Sequence, residues 1–272
     1  MTKFLSELRV LPGQKVDLQA NETDKVYGLD EKDIRKKTKD LYKSLLELQQ
    51  QLYAGKEQSL LIVLQAMDAA GKDSTIRKLT TQLNVQGCRV KSFGKPTKHE
   101  LAHDFLWRVH SQAPAKGEMV LFNRSHYEDV LIVKVHGWQS PEIIERRYQH
   151  INQFEALLAD SGTKVLKFML NVSPDYQLSR FKSRLENPEK NWKFNPGDLD
   201  ERRHWDDYMQ AFNTALSQCS TEQAPWYVIP AEQRWFRDYA IARIVHDTLV
   251  DMKPEYPEPD FDAELFTADS IE

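Results

Sequence analysis

A glycine followed by a lysine at the end of an apolar run is a pattern that can hold phosphate, and Gly71 and Lys72 stand in that relation to the run Leu60 to Leu64. From Ser59 to Thr75 the chain reads SLLIVLQAMDAAGKDST, a strand-length apolar segment that passes through Gln65 into a turn of small residues before a helical pattern opens at Lys72. Backbone amides at a helix N-terminus converge on phosphate oxygens, and a lysine adds a point charge that follows the phosphoryl group. The candidate phosphate-binding residues are therefore Ala69, Ala70, Gly71, Lys72, Asp73 and Ser74. The usual spacing is glycine, four residues, glycine, lysine, then a hydroxyl residue. Here Ala66 takes the first glycine position, Asp73 follows the lysine, and Ser74 comes one position late. The alternative is a buried strand ending in an ordinary turn, with Lys72 solvated.

A carboxylate inside such a loop repels phosphate unless a cation intervenes. Asp68 is thus a candidate to hold Mg²⁺, directly or through water, and otherwise a turn-forming helix cap. Asp73 is open to the same two readings, because an acid in the first turn also suits the helix dipole. In VLFNRSHYEDV, Asn123 ends an apolar run where nucleotide-binding α/β proteins commonly place an aspartate beside the metal. Arg124 can neutralise phosphate, and Glu128 follows about one helical turn later. Further on, Arg180 and Arg184 share a helix face, Lys190 and Lys193 sit in an irregular loop, and Arg202 and Arg203 open the next helix. These cations suit a lid that closes over phosphates and excludes water. The interleaved Glu186, Glu189, Asp198, Asp200 and Glu201 also fit a plain solvated face. HELAH, from His99 to His103, has the form of a zinc-peptidase helix, which would need a third ligand and a cleft beside it.

These residues need elements that bring them to one place. Apolar runs at Leu60 to Leu64, Arg89 to Phe93, Met119 to Phe122, Val165 to Val172 and Trp226 to Ile229 predict five strands. Helical spacing falls between and around them: Asp30 to Tyr53, Thr75 to Leu83, His99 to His110, Val130 to Val135, Ile143 to Leu158, Tyr176 to Leu185, Leu199 to Leu216 and Trp235 to Val250. Strands alternating with helices predict an α/β fold, a parallel sheet covered on both faces. Ligands of such sheets lie at the carboxyl ends of the strands, and the Gly71, Lys95 and Asn123 turns all follow strands. Residues 1–30 read as an irregular N-terminal strap, 31–253 as a single domain with a lid at about 180–205, and 254–272 as a poorly ordered, proline-rich acidic tail.

Composition narrows the classes. The 272 residues carry a net charge of -4, which argues against a protein that coats nucleic acid, and no aromatic stacking platform is evident. Cys88 and Cys219 are the only cysteines, too few for a zinc cluster or disulfide framework, so a reducing cytoplasm is expected. No run approaches the ~18 apolar residues of a membrane helix, and MTKFLSELRVLPG lacks the form of an export signal. Neither membrane insertion nor export is expected.

Six separated blocks carry a family resemblance: AMDAAGKDST, KPTKHELAHDFLWR, FNRSHYEDVLIVKVH, RFKSRLENPEKNWKF, DLDERRHWDDYMQAF and APWYVIPA. In this order they resemble the second family of polyphosphate kinases, over roughly residues 30–250. The resemblance implies a three-layer αβα P-loop kinase fold related to thymidylate kinases, with a five-stranded parallel sheet and a helical lid. It also implies Mg²⁺-dependent phosphate transfer between inorganic polyphosphate and nucleotides. Carried onto this chain, the family's loop aspartate and lysine fall on Asp68 and Lys72, its strand-end arginine on Arg124, and its lid cations on Arg180, Arg184, Lys193 and Arg203. Many members have aspartate in place of Asn123. The FNRS version with a following Tyr-Glu resembles the subgroup that acts on both AMP and ADP, so the expected reaction makes ADP and ATP and runs in both directions. Adenine nucleotides, with guanine nucleotides as further candidates, and a homo-oligomer complete the expectation. The rival readings are a nucleoside monophosphate kinase that uses ATP as donor and a non-catalytic nucleic-acid-binding protein.

Overall fold

The computed structural model describes residues 3–261 and residue 266. The strands are β1 (Ser59–Gln65), β2 (Cys88–Ser92), β3 (Met119–Asn123), β4 (Thr163–Asn171) and β5 (Trp226–Pro230). They form one sheet in the order β2-β3-β1-β4-β5, with every neighbouring pair parallel. Around them, in chain order, run α1 (Lys3–Leu8), α2 (Glu31–Gly55), α3 (Lys72–Thr80), α4 (Lys98–Leu101), α5 (Trp107–His110) and α6 (Ile132–Val135). They continue with α7 (Pro141–Asp160), α8 (Pro174–Glu186), α9 (Gly197–Arg203), α10 (Trp205–Cys219) and α11 (Arg234–Met252).

Parallel crossovers put helices on both faces of a sheet, so a central strand must be apolar on both sides. That is why β1 reads as an unbroken hydrophobic run. Leu60, Ile62 and Leu64 point into one core, shared with α1, α2, α3 and α11, while Leu61 and Val63 point into the other, shared with α7 and α10. All five are fully buried, and each contributes about 2 kcal/mol on leaving water. The three-layer αβα arrangement expected from the alternation is thus present, and every strand opens at its carboxyl end onto the same edge.

Local chemistry shifts several boundaries. The helix expected over 99–110 is two short turns. Thr97 and Glu100 form a capping box that starts α4, and the Asp104 carboxylate then accepts the Leu106 and Trp107 amides and restarts the chain as α5. The helix expected over 130–135 begins only at Ile132, because Val130 closes a 3₁₀ turn over 126–130 and Leu131, at φ -103° and ψ -90°, separates the two. The helix expected over 199–216 bends at His204 into α9 and α10. The N-terminal residues are more regular than expected. Leu5 and Leu8 of α1 are buried, Phe4 packs on Phe236 of α11, and Arg9 bridges antiparallel to Tyr227 of β5. Six residues are too few for a period to register in sequence. Of the expected tail, residues 262–265 and 267–272 lie outside the described residues. Among the described residues no helix is long and apolar enough to cross a membrane.

Candidate active site

The loop that leaves β1 turns twice through left-handed backbone, at Ala69 (φ 64°) and Gly71 (φ 111°), before α3 begins. Glycine suits the second of these because φ 111° strains any residue with a side chain, and a Cβ there would also push on an Arg237 guanidinium nitrogen 2.2 Å away. Alanine at the first costs about 1 kcal/mol or more of backbone strain. Lys72 is buried and folds back, its Nζ donating to the carbonyls of Ala66 (2.8 Å) and Met67 (3.3 Å) and lying 3.9 Å from Asp68 Oδ1. Across the cleft Arg124 Nη2 donates to Asp68 Oδ1 at 2.6 Å, and its Nη1 reaches Glu128 Oε2 at 3.4 Å. Arg124 is itself left-handed (φ 62°), so two strained non-glycine residues flank one ion pair.

Electrostatics follow from that packing. Burial on its own would raise the Asp68 carboxyl, but Lys72, Arg124 and Arg184 outweigh it and hold the group below the usual carboxylate range. Burial, seconded by Arg124, pushes the Lys72 ammonium down, against the pull of Asp68, Glu128 and Asp73. Asp73 Oδ1 accepts from Asn123 Nδ2 at 2.7 Å, so the amide that stands where aspartate was weighed joins β3 to the start of α3. Ser74 Oγ donates to the Gly71 carbonyl (2.8 Å) and accepts from Arg237 (3.2 Å).

These groups line a cleft of 590 Å³. Its walls bring together Asp68, Ala69, Gly71, Lys72, Asp73, Ser74, Asn123, Arg124, Arg180, Arg184, Lys190 and Lys193 from the sequence-derived set. Three members stand elsewhere. Ala70 is buried behind the loop, Glu128 backs Arg124 without lining the cleft, and Arg203 points to solvent and pairs with Asp200 at 3.0 Å. Its neighbour Arg202 turns inward, donating to Gln177 Oε1 (2.9 Å) and the Pro174 carbonyl (2.8 Å). In the expected lid region, Arg184 of α8 holds the Lys193 carbonyl (2.9 Å) and lies 3.4 Å from Asp198, whose carboxyl is pushed up by burial and then by Asp68. Arg77, Trp192, Arg234 and Arg237 also line the cleft and were missed. Arg234 and Arg237 open the helix after β5, so the rule that pointed to the turns after other strands applied to them as well.

The HELAH residues serve a different purpose. Glu100 accepts the Thr97 amide, His103 Nδ1 lies 2.9 Å from the His99 carbonyl, and the His103 ring stacks on Trp107 at 4.1 Å. Among the described residues no group of three or more His, Cys, Asp or Glu side chains is placed to hold a metal ion, so the helix lacks a third ligand.

A lysine-bearing loop at the carboxyl end of a central parallel strand, faced by an arginine and bordered by the cations of α8 and the segment after it, defines a P-loop kinase-like phosphotransferase. The pattern of the family described as Polyphosphate kinase 2 matches residues 28–257, and the chain belongs to that family. It is 52% identical over 220 residues to an AMP/ADP-polyphosphate phosphotransferase of Meiothermus ruber, covering 81% of this chain and 82% of that one. It is 40% identical over 278 residues to an ADP-polyphosphate phosphotransferase of Rhodopseudomonas palustris, covering 93% and 92%. The crystal structure of Polyphosphate Kinase 2 from Arthrobacter aurescens TC1 superposes with a TM-score of 0.91 at 41% identity, over 95% of this chain and 93% of that one. The protein is accordingly a polyphosphate kinase.

Proposed function

We propose that the protein transfers phosphate from inorganic polyphosphate to AMP and ADP, forming ADP and ATP, and that the reaction runs in both directions. The observation that carries this reading is the charge of the cleft: Lys72, Arg77, Arg124, Arg180, Arg184, Lys190, Lys193, Arg234 and Arg237 converge on one phosphate loop. A single nucleotide needs few of them, whereas a polyphosphate chain laid beside a nucleotide phosphate needs many. The names of the relatives at 52% and 40% identity support the choice of nucleotide.

In this reading Lys72 leaves its loop carbonyls and follows the transferred group, while the amides at the start of α3 hold the flanking oxygens. Arg124, fixed by Asp68 and Glu128, faces the charge that builds between donor and acceptor. The acceptor is already a phosphate oxyanion, so no general base is assigned. The cations of α8 and the loop after it grip the donor chain and exclude water. Magnesium takes one or two carboxylates and completes its shell with water and phosphate, and Asp68, ionised and facing the cleft, and Asp73 fit that need. Held there, it would offset the charge on the reacting phosphates. A groove of 940 Å³ runs alongside, lined in part by Phe105, Leu106, Ile143, Phe154, Arg108 and Asp129. Arg108 also donates to the carbonyl of Gly94, a cleft residue, at 2.9 Å, which supports a nucleoside lodged there with its phosphates in the cleft. The unpaired thiols Cys88 and Cys219 support a cytoplasmic setting.

Incubating the protein with AMP, polyphosphate and Mg²⁺ but no ATP tests the proposal. ADP and then ATP are the expected products. Product that forms only when ATP is the donor would replace this reading with a nucleotide-donor kinase.

A further inference from the structure

Gln177 is almost wholly buried, yet it lies in the first turns of a lid helix and belongs to no cation set. Its amide is used at both ends. Nε2 donates to the backbone carbonyl of Asp68 at 2.9 Å, and Oε1 accepts from Arg202 Nη1 at 2.9 Å. The first bond ends on the phosphate loop, beside the carboxylate that Arg124 holds. The second ends on α9, the far arm of the lid, where Arg202 is also bound to the Pro174 carbonyl. One planar side chain therefore joins the phosphate loop, α8 and α9. Glutamine suits the task because it carries a donor and an acceptor side by side.

Spacing shows what this junction controls. Arg180 and Arg184 stand three and seven residues beyond Gln177 on α8, so all three share one helix face. Arg180 and Arg184 both line the cleft, and the rotation of α8 about its axis decides where they point. The bond from Gln177 to the Asp68 carbonyl fixes that rotation relative to the loop. The neighbouring Glu201 of α9 is held separately, accepting from Tyr208 (2.6 Å) with His136 Nε2 at 3.0 Å. Arg202 is thus the contact through which α9 reaches Gln177 and the loop carbonyl, beside the pair of Arg184 and Asp198 that joins α9 to the far end of α8.

We infer that Gln177 is a positioning residue for phosphoryl transfer: with Arg202 it ties the lid to the phosphate loop and keeps the lid arginines in register with Asp68 and Lys72. This rests on the proposed polyphosphate-dependent reaction. A tie of this kind acts on the geometry of transfer more than on the nucleotide contact, and misplacing reacting groups by a fraction of their separation is costly.

The test compares Gln177→Leu, Gln177→Glu, Arg202→Met and the double variant Gln177→Leu with Arg202→Met. For each, kcat and the KM for polyphosphate and for ADP are measured, along with the thermal midpoint. Gln177→Leu is expected to lower kcat about tenfold or more and raise the KM for polyphosphate, with the KM for ADP held within about twofold. Gln177→Glu keeps an acceptor for Arg202 but loses the donor to Asp68, so it should share the kcat loss. Arg202→Met should move the same parameters less, and the double variant should be little worse than Gln177→Leu alone. A purely structural role would lower the thermal midpoint and leave the kcat of the folded protein unchanged. That result, or losses that multiply in the double variant, overturns the inference. If Gln177→Leu does not fold, Gln177→Glu and Arg202→Met carry the same comparison. A wild type that moves no phosphate from polyphosphate to AMP or ADP sinks the proposed function itself, whereas an active wild type matched by its variants sinks only the tie.

Discussion

Lys72 places its ammonium on two carbonyls of its own loop, so the charge must be released to meet phosphate. Replacing it by alanine should lower kcat about a hundredfold or more, the scale of losing a principal stabiliser of developing charge. The fold should persist, because the ammonium bonds loop carbonyls at the cleft and no apolar side chain of either core depends on it. Turnover at the wild-type rate in a steady-state assay would remove Lys72 from its assigned role. At this scale legibility followed chain distance. Asp68, Gly71 and Lys72 announce themselves because their chemistry is packed into a few consecutive positions. Arg237 meets Ser74 from a helix 163 residues later, and only its place after β5 marks that approach. Arg202 and Arg203 show the finest limit. They are adjacent and chemically identical, and only the rotation of α9 sends one to Gln177 and the other to solvent.

At the scale of elements, the expected lid region spends its cations within itself as well as on the cleft. Arg184 faces the cleft but also binds the Lys193 carbonyl and pairs with Asp198, so it shapes the lid loop as well as offering charge. Arg184→Ala should therefore raise the KM for polyphosphate several-fold, about the effect of one charge-assisted hydrogen bond, with a smaller change in kcat. An unchanged KM in initial-rate measurements would count against a lid that grips the donor chain. Helix breaks were harder to foresee than helices. The apolar spacing over 99–110 is real, with Val109 in the core, but one carboxylate at Asp104 caps a new turn midway. Periodicity reports which face is buried; it does not report a side chain that competes for backbone amides.

Across the whole molecule, the β1 run made a doubly covered parallel sheet legible, whereas the strand order β2-β3-β1-β4-β5 did not follow from pattern. A buried network was invisible because its members are far apart in sequence. Glu155 of α7 pairs with Lys167 of β4 and accepts from Tyr127 (2.9 Å), with His126 Nε2 at 3.2 Å, directly beyond the Arg124 turn. Burial would raise the Glu155 carboxyl, but Lys167 and His126 override it and hold it below its usual range. A carboxylate lowered on folding contributes stability above its unfolded pKa of about 4.3, and that stability is lost as pH falls through the folded value. Glu155→Gln should cost about 3 to 5 kcal/mol at neutral pH, because Lys167 is left buried without its partner. It should also flatten the fall of stability below about pH 4, read from urea melts across acid pH. A variant as stable as the wild type at pH 7 would contradict this account of the pair.

Ala69 holds its left-handed backbone with a side chain in place where glycine would sit without strain. Glycine there would open many more conformations to the empty loop, each of which substrate would have to suppress. The alanine has fewer conformations to choose from, and the packed loop around it holds it in the strained one. Little chain entropy is then left to lose when phosphate arrives, so part of the affinity of this site resides in the shape the loop keeps while waiting.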